Sequence, residues 1–193
     1  MKTQPTIHHL VSKWPTWFPD CPPFGPFMRS LFTERWLRIY SLPEGKRYAT
    51  SDQEVATILR RHNDVAEAVL GDGMACAVII AGDGDDPPSL HALGARPVKG
   101  WAQRWMDDEE FAEELEGMEF AAALCTWQRD KFNELIHDIA EDRTDLLLFA
   151  SLGTGRIYGP YDGGADLFFE SEESRDRFAD RFSEWRSPRH DGL

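Results

Sequence analysis

Apolar residues along the chain follow two different periods, and each period predicts a different kind of element. From 51 to 71 they recur every three or four positions, and Ser51 with Glu54 three residues later forms a capping box, so this segment predicts a helix. The run MACAVIIAG (74–82) is continuously apolar, which is typical of a central strand. Alternation from 36 to 42 predicts a further strand.

The same reasoning assigns the rest of the chain. Strands are expected in EFAAALCTW, DLLLFAS, RIYGPY and ADLFFE, and helices in RDKFNELIHDIAED, SEESRDRFADRFSEWRS and the short acidic segment 107–119. We therefore expect residues 31–193 to form a single α+β domain. Its mixed, largely antiparallel sheet would have about five to seven strands, with three to four helices packed on it.

Residues 1–30 differ in composition from everything that follows. They hold six of the twelve prolines, and tryptophan and phenylalanine residues are interleaved with these prolines. Because proline lacks an amide hydrogen and disrupts helix interiors and central strands, we expect an irregular arm. Its aromatic residues need burial, so the arm is expected to pack on the domain.

The stretch IYGPYDGGADLFFES predicts a hairpin. Asp-Gly between two strand-like runs is typical of a type I′ turn, which needs positive φ angles, and Asp162 can also bond its own backbone. Pro160 cannot donate to a ladder and indicates an edge strand or a bulge. Asp166 starts the second arm beside an apolar run, and a half-buried carboxylate there needs a partner, for which an arginine is expected.

Two segments carry a family resemblance. RWLRIYSLPEGKRY (35–48) and YGPYDGGADLFF (158–169) resemble the marker motifs of an uncharacterised bacterial protein family, which read close to RWLRIHSLPESKRY and PYDGGAD. The resemblance extends over most of the chain and implies no activity, so it supplies no functional residue. Tyr40 stands where the family motif has His, and Gly45 where it has Ser, which favours a non-enzymatic function.

The net charge of −13 is concentrated in the second half of the chain. Residues 1–96 carry 10 Lys and Arg against 11 Asp and Glu, whereas residues 97–193 carry 11 against 23. Such a field disfavours nucleic-acid binding and attracts a basic protein. The alternative is an ordinary solvated helix face. The acidic residues expected to contact a basic partner are Asp107, Asp108, Glu109, Glu110, Glu113, Glu114 and Glu116.

The two motifs also contain the residues for a possible pocket. Basic side chains in the first motif could hold an anion against the second motif, or could simply pair with its carboxylates. These candidate ligand-binding residues are Arg38, Lys46, Arg47, Tyr48, Tyr161, Asp162 and Asp166.

Several other chemistries lack a pattern in the sequence. The histidines and three cysteines do not have zinc-ligand spacing, a GxSxG nucleophile motif is absent, and the Gly-Lys at 45–46 fails the phosphate-loop pattern. We therefore expect no metal, no cofactor and no disulfide framework. Since no apolar run approaches a membrane span and the start has no signal-peptide core, a cytoplasmic protein is expected.

Two functional hypotheses remain. The favoured one is a non-enzymatic acidic module that binds a basic protein, as inhibitors and immunity-type proteins do. The alternative is an enzyme or a small-anion-binding protein whose pocket lies between the two motifs.

Overall fold

An antiparallel sheet of seven strands forms the centre of the computed structural model, which describes residues 6–82, 91–105, 107–144 and 146–186. The spatial order is β1-β7-β6-β5-β2-β4-β3, and every pairing between neighbours is antiparallel. The strands are β1 (Trp36–Tyr40), β2 (Ala75–Gly82), β3 (Arg96–Pro97), β4 (Glu119–Thr126), β5 (Leu146–Ser151), β6 (Ile157–Tyr161) and β7 (Gly164–Phe168).

Six α-helices accompany the sheet in the described residues, so the α+β class is confirmed. They are α1 (Ile7–Trp17), α2 (Gly25–Leu31), α3 (Asp52–Leu70), α4 (Glu109–Leu115), α5 (Asn133–Ala140) and α6 (Glu172–Arg181). The sequence pattern predicts three to four helices. The two additional helices, α1 and α2, both lie in the proline-rich first 31 residues. Among the described residues, no helix combines the length and the apolar character needed to cross a membrane.

Alternation along the strands divides the core into two layers. Successive side chains of a strand point to opposite faces. Leu37 and Ile39 accordingly pack in one apolar cluster with α3, α5 and α6. Trp36 packs in a second cluster, which holds the side chains of α1, α2 and α4. The face covered by α1 and α2 is called the arm face below.

The described part of the first 31 residues thus contains two helices, α1 and α2, in place of the irregular arm that the proline content predicts. Pro26 lies in the first turn of α2, where an amide hydrogen has no intrahelical acceptor. Pro15 falls within α1, but Leu10 and Trp14 are completely buried against the sheet. The Trp14 indole Nε1 donates to the Cys21 carbonyl at 2.8 Å. This burial offsets the hydrogen bond that Pro15 removes.

The hairpin between β6 and β7 forms where the sequence predicts it, but its glycines are needed for a different reason. Gly163 and Gly164 do not have the positive φ angles of a type I′ turn. Instead, a Cβ on Gly164 would lie 2.0 Å from the Ile39 carbonyl oxygen, so a side chain there would separate β7 from β1.

Pro160 lies in an interior strand and not at an edge. The ladder between β5 and β6 covers only Phe149–Tyr158 and Ala150–Ile157. The ladder therefore ends before Gly159 and Pro160, and no bond to β5 is lost at the proline. The candidate site lies beside these two residues, where β5 and β6 no longer form a regular ladder.

Candidate functional site

The two sequence motifs are joined by a bidentate ion pair. Arg38 of β1 lies directly opposite Asp166 of β7 in the ladder, and both side chains point to the arm face. Arg38 Nε donates to Asp166 Oδ1 at 2.8 Å, and Nη2 donates to Oδ2 at 3.0 Å. The Trp36 indole Nε1 donates to Oδ1 at 2.9 Å. Asp166 therefore has both an arginine partner and an indole donor.

The guanidinium of Arg38 is held in place from both sides. It lies 5.2 Å from the Trp36 ring centroid and 4.9 Å from that of Tyr161, which are cation–π distances. Burial opposes its charge, but the hydrogen bonds and negative charge of Asp166 outweigh this effect and raise the pKa of Arg38. Arg38 is therefore a fixed, permanently charged part of the site.

A second ion pair lies at the turn between β6 and β7. Asp162 is only 8% exposed, accepts a hydrogen bond from the Tyr48 hydroxyl at 2.8 Å and contacts Arg47 Nε. The charge of Asp162 raises the pKa of Arg47. The Arg47 side chain is nevertheless 62% exposed, so much of its guanidinium faces solvent.

Lys46 is occupied by a different partner. Its Nζ donates to both carboxylate oxygens of Glu54, at 2.6 and 2.7 Å, and to Thr50 Oγ1 at 2.8 Å. The hydrogen bonds from Lys46 and then from Thr50 lower the pKa of Glu54 to about 2. Lys46 thus fixes the start of α3 and does not face the other candidate residues.

A cleft of about 230 Å³ opens between the start of α2 and the arm face of β1, β5, β6 and β7. Gly159 forms part of its floor, where a Cβ would lie 2.8 Å from Leu148 Cδ2. Of the seven candidate pocket residues, Arg38, Arg47, Tyr161 and Asp166 line the cleft. Lys46, Tyr48 and Asp162 lie outside its lining. The remaining lining residues are Pro23, Phe24, Gly25, Pro26, Arg29, Ala81, Leu146, Leu147, Leu148, Gly159 and Pro160.

Charge in the cleft has the opposite sign to that of the whole protein. Arg29 joins Arg38 and Arg47 in the lining, and its Nη1 lies 3.6 Å from Asp166 Oδ2, beyond hydrogen-bond length. The three guanidinium groups are balanced by only two carboxylates. Asp166 lies in the lining, and Asp162 lies outside it but pairs with Arg47. Burial raises the pKa of Tyr161, so its phenol is neutral and adds no negative charge.

Several side chains that commonly act as nucleophiles or bases are missing from the described lining of this cleft, although Asp166 and Tyr161 are present. Among the described residues that form it, there is no serine, threonine, cysteine, histidine or lysine. The described residues also contain no group of three or more His, Cys, Asp or Glu side chains placed to hold a metal ion. The arrangement can bind and orient an anion through arginine, with apolar walls on either side.

The acidic segment forms a shorter helix than the pattern predicts, with the expected apolar side. Phe111 and Leu115 of α4 are buried, whereas all seven candidate acidic residues are exposed. Asp108 caps the helix by accepting the Glu110 amide at 3.0 Å. Within the described ranges, none of the seven acidic side chains forms an ion pair with a basic residue of the chain.

A buried hydrogen-bond chain lies on the opposite face, and sequence reasoning missed it. Ser41 Oγ lies 2.7 Å from His62 Nε2, and His62 Nδ1 lies 2.7 Å from the Tyr158 hydroxyl. The three residues are 1%, 3% and 0% exposed, and the space beside them measures about 10 Å³. Because a substrate has no access, we interpret this chain as a link between the motifs and α3.

Two residues of the cleft site were also absent from the sequence-based candidates. Trp36 could have been found, because it lies two residues before Arg38 and a strand places both on one face. Arg29 gave no comparable signal. Its place in the cleft depends on how α2 packs against the sheet, and this packing is not encoded in the local pattern.

The comparisons with known proteins identify a family without an assigned activity. A family model described as a domain of unknown function (DUF3885) matches residues 24–190, which include both motifs. The resemblance indicated by the motifs is therefore confirmed. Searches of curated proteins and of solved structures found no significant match. The functional conclusion consequently depends on the geometry of the site.

Proposed function

The chain belongs to the DUF3885 family of domains of unknown function, and we propose that it binds a small organic acid in the cleft between its two motifs. One observation carries this proposal. Arg29 and Arg47 border the same cleft with guanidinium groups that the carboxylates of the chain satisfy only in part.

The arginines differ in their role. Arg38 donates to Asp166 through both Nε and Nη2 and supplies a fixed positive charge. Arg29 has no carboxylate within hydrogen-bond distance among the described residues. Arg47 contacts Asp162 through Nε, but its side chain is 62% exposed, so part of its guanidinium can reach a ligand. The planar donor fork of a guanidinium matches a carboxylate. The anionic end of the ligand therefore binds between Arg29 and Arg47.

The walls of the cleft favour an apolar body on the same ligand. Phe24, Pro26, Leu148 and Pro160 contribute apolar surface beside the arginines. A bare inorganic anion would gain nothing from these walls and would lose hydration on entering. An aromatic or aliphatic carboxylate buries its apolar part there, so we propose this class of ligand and binding without a chemical step.

Calorimetric titration with benzoate tests the proposal, with inorganic phosphate and benzylamine as comparison probes. We expect saturable benzoate binding at roughly millimolar affinity, as is usual for a ligand of this size, and weaker binding of both comparison probes. Arg29→Gln and Arg47→Gln should each weaken benzoate binding by about tenfold or more, because a charge-assisted hydrogen bond is lost.

Arg177→Gln is the matched control, because Arg177 is similarly exposed and ion-paired but lies on α6 and outside the cleft lining. Its affinity for benzoate should equal that of the unmodified protein. Equal affinity in the Arg29 and Arg47 variants as well would contradict the proposal.

A second function has its own supporting observation. The seven acidic residues around α4 are exposed and unpaired among the described residues, and like charges at this spacing are unfavourable without a partner. This arrangement fits binding of a basic protein, as in an inhibitor or immunity-type module. Association with an immobilised lysine-rich peptide should weaken steeply as salt rises and should weaken further when Glu109, Glu110, Glu113 and Glu114 become Gln. Salt-independent association would contradict this function.

A further inference from the structure

Two cysteines that are far apart in the sequence lie side by side in the sheet. Cys76 of β2 is directly opposite Cys125 of β4, and their Sγ atoms are 3.2 Å apart. Both are free thiols. No local pattern predicts that they pair, because 48 residues separate the two positions and the cysteine count is odd.

The backbone geometry already suits a disulfide. Directly opposite residues of an antiparallel pair have Cα atoms about 4.5–5.5 Å apart. A disulfide accommodates Cα separations of about 4.4–6.8 Å. The sulfur atoms can therefore be joined by rotating side chains, without moving either strand.

The two thiols differ in access. Cys76 is completely buried, whereas Cys125 is partly exposed near the end of β4. The hydrogen bond from Cys76 lowers the pKa of Cys125, and the nearby positive charge of Lys131 acts in the same direction. Cys125 is accordingly the thiol that a soluble reagent reaches first, and Cys76 is placed directly behind it.

We propose that Cys76 and Cys125 form a reversible redox modification site that is oxidised by low-molecular-weight disulfides such as glutathione disulfide. The Cys125 thiolate, after losing its proton to solvent, attacks one sulfur of glutathione disulfide and releases one glutathione thiolate. Cys76 then loses its proton and attacks Cys125 Sγ, which releases the second glutathione thiolate and forms the Cys76–Cys125 bond. Two protein thiols are oxidised, and one glutathione disulfide is reduced to two glutathiones.

The site is independent of the proposed anion binding. Cys76 belongs to the apolar cluster on the face of α3 and α5, and Cys125 packs against that cluster, whereas the cleft lies on the arm face. Oxidation should therefore leave benzoate affinity unchanged. A failure of the thiol experiment leaves the cleft proposal standing, and failure of benzoate binding leaves the thiol proposal standing.

The folded protein is treated with glutathione disulfide and then denatured, its free thiols are labelled with N-ethylmaleimide, and the intact mass is measured. The untreated protein should take three labels, one for each cysteine. The treated protein should take one label, on Cys21, and should regain three after reduction. Peptide mapping should recover a 76–125 cross-link. Three labels after treatment, or a cross-link that includes Cys21, would overturn the proposal.

Single variants test the order of attack. Cys76→Ser should accumulate one glutathione adduct on Cys125, because the resolving thiol is missing. The Cys125→Ser protein should form no glutathione adduct, because its remaining thiols, Cys76 and Cys21, are buried. Cys21→Ser should still form the cross-link. Adduct formation on Cys76 in the Cys125→Ser protein would contradict the assigned roles. If a serine variant does not fold, the labelling result on the native chain decides.

Discussion

At the scale of single residues, Asp166 joins the two motifs. It accepts hydrogen bonds from Trp36 and Arg38, and it is only 7% exposed. We expect Asp166→Asn to lower the free energy of unfolding by roughly 3 kcal/mol, because the buried Arg38 charge loses its carboxylate. Urea unfolding measures this change. Glu173→Gln is the control, since its exposed pair with Arg177 contributes less than about 0.5 kcal/mol. Equal losses in both variants would contradict the assignment.

His62 provides a second prediction at this scale, a dependence of stability on pH. Burial lowers its pKa from 6.5 to about 4. As the pH falls, the unfolded chain binds this proton first, so the stabilisation present above pH 6.5 is lost towards pH 4. Between pH 7 and 5 the free energy of unfolding should fall by about 2 kcal/mol.

The control for this prediction is His62→Gln, measured by urea unfolding at the same pH values. Glu54 and Glu170, whose pKa values are lowered to about 2, lose their contributions mainly below pH 4.5 and so interfere little. The variant should be less stable overall, but its stability should be nearly constant from pH 7 to 5. A variant with the same pH dependence as the unmodified protein would show that another group titrates.

At the scale of elements, Gly164 allows β7 to approach β1. Because a Cβ there would lie 2.0 Å from the Ile39 carbonyl oxygen, Gly164→Ala must separate the two strands. We expect a loss of about 3 kcal/mol or more in the free energy of unfolding. Gly153→Ala, where nothing lies within 4 Å and φ is not positive, should change it by less than about 1 kcal/mol. A thermal unfolding comparison that finds the two variants alike would contradict this explanation.

The sequence predicts the strands better than it predicts the arm. The apolar run around β2 (Ala75–Gly82) predicts a strand that is buried on both faces, and this signal lies within the strand's own residues. The helices α1 and α2 depend on packing against a sheet formed by distant residues. The proline content alone predicts an irregular segment instead of these helices. Asp-Gly predicts the β6–β7 turn, but Gly164 is needed because of a close contact with β1, which no local pattern contains.

At the scale of the whole molecule, the cleft has a different charge from the protein that contains it. The protein has a net charge of −13, and the acidic residues of α4 are exposed. On the arm face, by contrast, three arginines line one cleft. The sequence locates the acidic segment because its charges are consecutive. The motifs predict Arg38 and Arg47 as site residues, but no sequence pattern predicts Arg29. Only the packing of α2 onto the sheet brings Arg29 to the cleft.

The most direct test of the central claim is a titration of the ¹⁵N-labelled protein with benzoate, followed by NMR signals of arginine Nε–H and tryptophan indole groups. We predict saturable shifts for Arg29, Arg47 and the Trp36 indole, with a single dissociation constant, and no shift for Arg177. Shifts that do not saturate, or that appear only outside the cleft, would contradict binding of an organic acid between the two motifs.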